Sequence, residues 1–120
     1  MKRLYRTLRA VVRLAAVAVV TLFSYLAALA ARACGIFSRR FAARGQGWAY
    51  QVWSKALCRI FGVRVTVRGT PPAPPFFLVS NHLSYIDIFV LGTQIPCVFV
   101  AKAEIDGWPI FGAICRSVNT

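Results

Sequence analysis

The residues best equipped for chemistry lie in one short stretch, residues 76–87, which reads Phe-Phe-Leu-Val-Ser-Asn-His-Leu-Ser-Tyr-Ile-Asp. His82 is the only histidine in the chain, and Asp87 follows five residues later. A positioned histidine can remove the proton of a hydroxyl as that oxygen attacks an acyl carbon. A carboxylate on the other ring nitrogen fixes the tautomer and stabilises the imidazolium. The spacing restricts how the two can meet. Inside one continuous helix they would stand about 140° apart, so the dyad works only with His82 in a loop and Asp87 in the first helical turn. Ser84-Tyr85-Ile86-Asp87 supplies that break as a capping box, with Ser84 at the cap and Asp87 three residues on. The competing reading is that Asp87 only caps and His82 is an ordinary turn residue.

The elements that must position this turn read as follows. Residues 63–68 alternate Val-Arg-Val-Thr-Val-Arg, the pattern of a strand with one apolar face. Residues 69–75 are a stiff, proline-rich connector that cannot continue a strand. The unbroken apolar run 76–80 suits a buried strand. A helix follows from about Tyr85 to Leu91, ending near Gly92, and Cys97-Val98-Phe99-Val100-Ala101 is a third strand. The next helix starts near Trp108, with Pro109 in its first turn, and runs towards Arg116; Val118 begins a further strand. Alternation of strand and helix implies an α/β architecture. The glycines at 62, 69, 92, 107 and 112 read as turns and element ends, because no phosphate-binding glycine pattern is present.

The 120-residue chain allows one small domain, and part of its length is committed to membrane. Apolar residues make up 58%, and the formal net charge is +12. Residues 1–68 carry 13 basic residues and no acidic one, whereas Lys102 and Arg116 face Asp87, Glu104 and Asp106 in the remainder. Basic charge interleaved with long apolar runs favours anionic lipid over nucleic acid as a partner. The leader holds Lys2, Arg3, Arg6, Arg9 and Arg13; residues 14–31 are then 18 positions without charge. As helix they span about 27 Å, close to the hydrocarbon thickness of a bilayer. A membrane anchor is the leading reading, and a secretory signal peptide is its rival. Basic residues flank the run on both sides, so the charge rule does not orient it. Residues 32–47 read as an irregular basic connector. Ala49, Val52, Trp53, Ala56, Leu57 and Ile60 then recur at helical spacing opposite Gln51, Lys55 and Arg59. That amphipathic helix either lies on the bilayer or packs against the sheet of its own domain. Cys34, Cys58, Cys97 and Cys115 are widely spaced without Cys-x-x-Cys, which argues against a metal site and for reduced thiols.

Asn81, His82, Ser84 and Asp87 after an apolar strand match the Asn-His-x-Ser-x-x-Asp pattern of the glycerolipid acyltransferase superfamily, and the chain resembles its bacterial 1-acyl-glycerol-3-phosphate acyltransferases. Lys102-Ala103-Glu104 and Trp108-Pro109-Ile110-Phe111-Gly112 resemble two further runs of that family. The resemblance covers mainly residues 76–117. It implies transfer of a fatty acyl group, with acyl-CoA or acyl carrier protein as donor and no cofactor, to a lysophospholipid hydroxyl. The expected acceptor is 1-acyl-glycerol-3-phosphate; the alternatives are another lipid such as lyso-ornithine lipid, or a non-catalytic membrane-anchored fragment. In this picture His82 is the base, Asp87 orients it, Asn81 and Ser84 shape the turn, and Lys102 is a weak candidate for substrate phosphate. The family's later arginine motif and Glu-Gly-Thr motif do not occur, so the chain is expected to be the N-terminal portion of a longer acyltransferase, with residues 1–44 as leader, anchor and connector and 45–120 as the first part of an acyltransferase α/β domain. The expected location is a bacterial inner membrane, with the catalytic part on its cytoplasmic side.

Overall fold

The computed structural model describes residues 2–71, 73, 75–81 and 84–117, leaving aside the side chains of Phe111 and Ser117. No glycine or proline occurs between Lys2 and Ala33, and the leader is rich in Arg and Leu. Good helix formers without a breaker propagate one helix, and α1 accordingly runs Lys2–Ala33, joining basic leader and apolar stretch. It is long and apolar enough to cross a membrane, and 17% of its most apolar window is buried in the fold. A short 3-10 turn, Cys34–Ile36, ends it.

Ser38 starts the return. Its backbone is extended (φ −157°), and its hydroxyl accepts from the Phe41 N–H at 3.4 Å, the signature of an N-cap. Helix α2, Arg39–Phe61, follows. It therefore absorbs most of the stretch expected as an irregular connector. Gly45 explains why: a Cβ there would lie 2.6 Å from the Ala31 Cβ, so the glycine is used for close approach of α2 to α1 rather than as a breaker. Ala28, Ala31 and Ala49 are buried, and the Trp53 indole donates to the Thr21 hydroxyl at 3.0 Å. At the far end Val17 packs on Leu57 and Cys58, completing an antiparallel hairpin. Gly62 closes α2 in the left-handed region (φ 73°); its N–H donates to Arg59 and the Val63 N–H to Cys58, the paired bonds of a Schellman cap.

The short helix α3, Ile86–Gly92, packs on α2 through Phe89, which joins Leu57 and Cys58 in the core. Phe89 meets Trp53 edge-on (6.5 Å) and stacks on Phe61 (6.0 Å). A second 3-10 turn, Ala103–Gly107, leads to α4, Phe111–Ser117, three residues later than expected. Arg116 pairs with Asp106 at 2.6 Å, and Arg32 donates to the Arg116 carbonyl at 2.7 Å, tying α4 to the end of α1.

The α/β expectation is corrected here. Among the described residues the structure is all helical, with no strand and no sheet. Residues 63–68, 76–80 and 97–101 do not pair with one another. Val118 lies outside the described residues. Periodicity reports which side chains one neighbouring surface covers, whereas a strand also needs a partner backbone for its N–H and C=O groups. Where contacts cover these segments they come from helix, as Phe99 against Tyr50 of α2 shows. Val63 and Val65 rest on the core around α2. In 97–101 burial still alternates: Cys97 and Phe99 are half-buried, and Val100 is 97% exposed. Phe77 and Val79 are almost wholly exposed while Phe76 is half-buried, so the run that reads as a doubly covered strand is covered on one side at most.

Candidate active site

The site is built from the junction between residue 84 and α3. Tyr85 already has helical dihedrals, and Ser84, one residue earlier, supplies the cap. The Ser84 hydroxyl accepts from the Ile86 N–H at 3.1 Å, and its carbonyl accepts from the Asp87 N–H at 3.0 Å. In return the Ser84 N–H donates to Asp87 Oδ2 at 2.9 Å. This is the reciprocal box that the sequence announces. It places the Asp87 carboxylate, half-buried, in the first turn of α3 and facing back toward the preceding loop. Asn81 and Ser84 are exposed on that loop. His82 lies outside the described residues.

What holds α3 in place is less visible in the sequence. The Tyr50 hydroxyl of α2 donates to the Ile88 carbonyl. Burial, and then the neighbouring Cys97 thiol, push the Tyr50 hydroxyl well above its ordinary pKa, so it stays a neutral donor. Burial likewise raises the Cys97 thiol. Gly92 lets α3 lie directly on α2: a Cβ there would sit 2.2 Å from the Ser54 hydroxyl and 2.5 Å from the Tyr50 ring. Tyr50 and Trp53 thus face inward, and Tyr50 also packs edge-on against Phe99 at 5.7 Å. Trp48 remains exposed. Sequence reasoning missed Tyr50 and Gly92 as the parts that position Asp87. A helical repeat marks an inward face without saying which hydroxyl finds a carbonyl there.

Lys102 is exposed, just before the 3-10 turn, where its carbonyl accepts from the Ile105 N–H at 3.1 Å. It lines a depression of about 120 Å³ with Ala103, Ile105, Asp106 and Cys115. Asp87 is not among the described residues that line it. Arg116 is engaged by Asp106 through both its backbone carbonyl and its carboxylate. Among the described residues no group of three or more His, Cys, Asp or Glu side chains is arranged to hold a metal.

Residues 63–120 match the family model described as Acyltransferase. Over this segment the chain is similar to the acyltransferase family. The segment includes the Ser84–Asp87 box and all of α3 and α4. The chain is 40% identical over 70 residues to the lyso-ornithine lipid O-acyltransferase of Rhizobium meliloti (strain 1021), covering 58% of this chain and 24% of that protein. It is 33% identical over 99 residues to the lyso-ornithine lipid O-acyltransferase of Brucella abortus (strain 2308), covering 78% of this chain and 37% of that protein. The 1-acyl-sn-glycerol-3-phosphate acyltransferase of Neisseria gonorrhoeae is 39% identical over 54 residues, 44% of this chain and 21% of the relative. The chain thus spans 24% and 37% of the length of these two lyso-ornithine lipid relatives. No solved structure matches it.

Proposed function

We propose that this protein is the acyl-transferring, membrane-bound catalyst of a lyso-lipid, and that its acceptor is lyso-ornithine lipid rather than 1-acyl-glycerol-3-phosphate. The observation that carries the catalytic part is the Asp87 carboxylate, fixed by the Ser84 N–H in the first turn of α3 within the acyltransferase segment. In the proposed reaction His82 takes the proton of the acceptor hydroxyl as its oxygen attacks the thioester carbonyl. Asp87 holds the imidazole and stabilises its charge. The C–S bond breaks, an ester forms, and the departing thiolate takes the proton back from His82. The donor is acyl-CoA or acyl carrier protein, which places the turn on the cytoplasmic side of a bacterial inner membrane.

The acceptor assignment rests on similarity. The match to lyso-ornithine lipid O-acyltransferases extends over 70 to 99 residues in the two relatives described, against 54 for the Neisseria glycerophosphate enzyme. The test is kcat/KM of the detergent-purified protein for each acceptor with the same acyl donor. A higher value for lyso-ornithine lipid is expected. A higher value for 1-acyl-glycerol-3-phosphate would reassign the acceptor, and no transfer to either would leave an anchoring role.

A further inference from the structure

An open groove of about 270 Å³ lies where the end of α2, the chain just after it and the end of α3 meet. Lys55 and Arg59, one helical turn apart on α2, line it with Gln94 and Thr93, and Cys58, Val63 and Val65 form its apolar part. The chain has three carboxylate side chains, and none of them lines the groove. Two cations beside an apolar floor, with no local anion, suit an anionic head attached to a hydrocarbon body.

The position of the groove selects the source of that anion. Cys58 belongs to the core cluster on which Val17 of α1 packs. One turn further toward the α1 N-terminus stands Arg13, which closes the uncharged run. The groove therefore sits level with the end of the apolar stretch, at the depth where an inserted helix meets lipid phosphates. It also lies at the opposite end of α3 from Asp87, roughly 10 Å of helix away.

We propose that the Lys55–Arg59–Gln94 groove binds the headgroup of an anionic membrane phospholipid, as a site separate from the acyl-transfer turn. The test reads binding, not acyl transfer, so it is decided apart from the proposed reaction. The ¹⁵N-labelled chain in dodecylmaltoside micelles is titrated with dihexanoyl-phosphatidylglycerol, with dihexanoyl-phosphatidylcholine and with inorganic phosphate, following the Gln94 side-chain amide. Phosphatidylglycerol is expected to shift that signal saturably and at lower concentration than the other two. Lys55→Gln with Arg59→Gln should weaken the effect roughly thirty-fold, two headgroup-level charges being removed. Arg3→Gln with Arg6→Gln, an equal loss of charge in the α1 leader, should change it by less than about twofold. Absence of a Gln94 shift, equal binding of phosphatidylcholine, equal binding of inorganic phosphate, or equal weakening by the leader variant would each overturn the proposal. If the groove variant loses helical circular dichroism, the wild-type ranking of the three ligands decides alone.

Discussion

Two roles for Asp87, the observed cap and the proposed catalytic carboxylate, can be separated by one atom. Its Oδ2 accepts the Ser84 N–H, a role that an amide oxygen fills equally well. Its charge is what a catalytic carboxylate needs and a cap does not. Asp87→Asn therefore keeps the box and removes the charge. In the proposed mechanism its turnover falls steeply while its melting temperature moves little, because a cap change is worth only about 0.5–2 kcal/mol. His82→Ala should lower transfer by about 10²–10⁴-fold, the usual general-base contribution. Steady-state acyl transfer beside a thermal melt for each variant checks both. Activity of Asp87→Asn that falls only with folded fraction would leave Asp87 as a cap alone. The box itself was legible in the sequence because it is local: four consecutive residues contain both partners. The Tyr50 to Ile88 bond was not, since its partners are 38 residues apart and only packing of α3 on α2 joins them.

At the scale of elements, the glycines divide by what surrounds them. Gly62 and Gly69 have positive φ and end or turn the chain, as their sequence contexts imply. Gly45 sits inside α2 and Gly92 is the last residue of α3; in a helix glycine is disfavoured by up to about 1 kcal/mol relative to alanine. Intrinsic propensity therefore argued for a connector before residue 48, and close packing reversed the outcome. Gly92→Ala separates the two effects. Its gain in helix propensity is smaller than the roughly 1–3 kcal/mol lost to overpacking, since the new Cβ meets Ser54 and Tyr50 in the tightest part of the contact. A lower melting temperature is expected. Gly107→Ala is the control, with nothing within 4 Å of the added Cβ and no positive φ, and its melt should stay near wild type. The strand expectations failed for a related reason. Alternation in 63–68 marked the side that Val63 and Val65 turn to the core, but that core is helical, and a helix offers no free ladder to pair with.

For the whole molecule, the hairpin sorts its surfaces by chemistry. On α1, Leu22, Phe23, Leu26 and Leu29 remain exposed beside α2, while α2 turns Arg40, Arg44, Lys55 and Arg59 outward. Two forces then act at a membrane, and salt distinguishes them. The attraction of basic side chains to anionic lipid, about 1 kcal/mol for each near the surface, is screened once the Debye length falls to about 3 Å in 1 M salt. Burial of a large apolar side chain, about 1.5–3 kcal/mol each, is not screened. Four such side chains on one helix face outweigh what screening removes, so the chain should pellet with membranes and remain there through a 1 M salt wash. Detergent should release it. Lysis at low salt without detergent, followed by ultracentrifugation and blotting of both fractions, is the decisive measurement. Recovery of the chain in the supernatant would mean that the apolar face of α1 is covered by protein rather than lipid, and the membrane reading would fail with it.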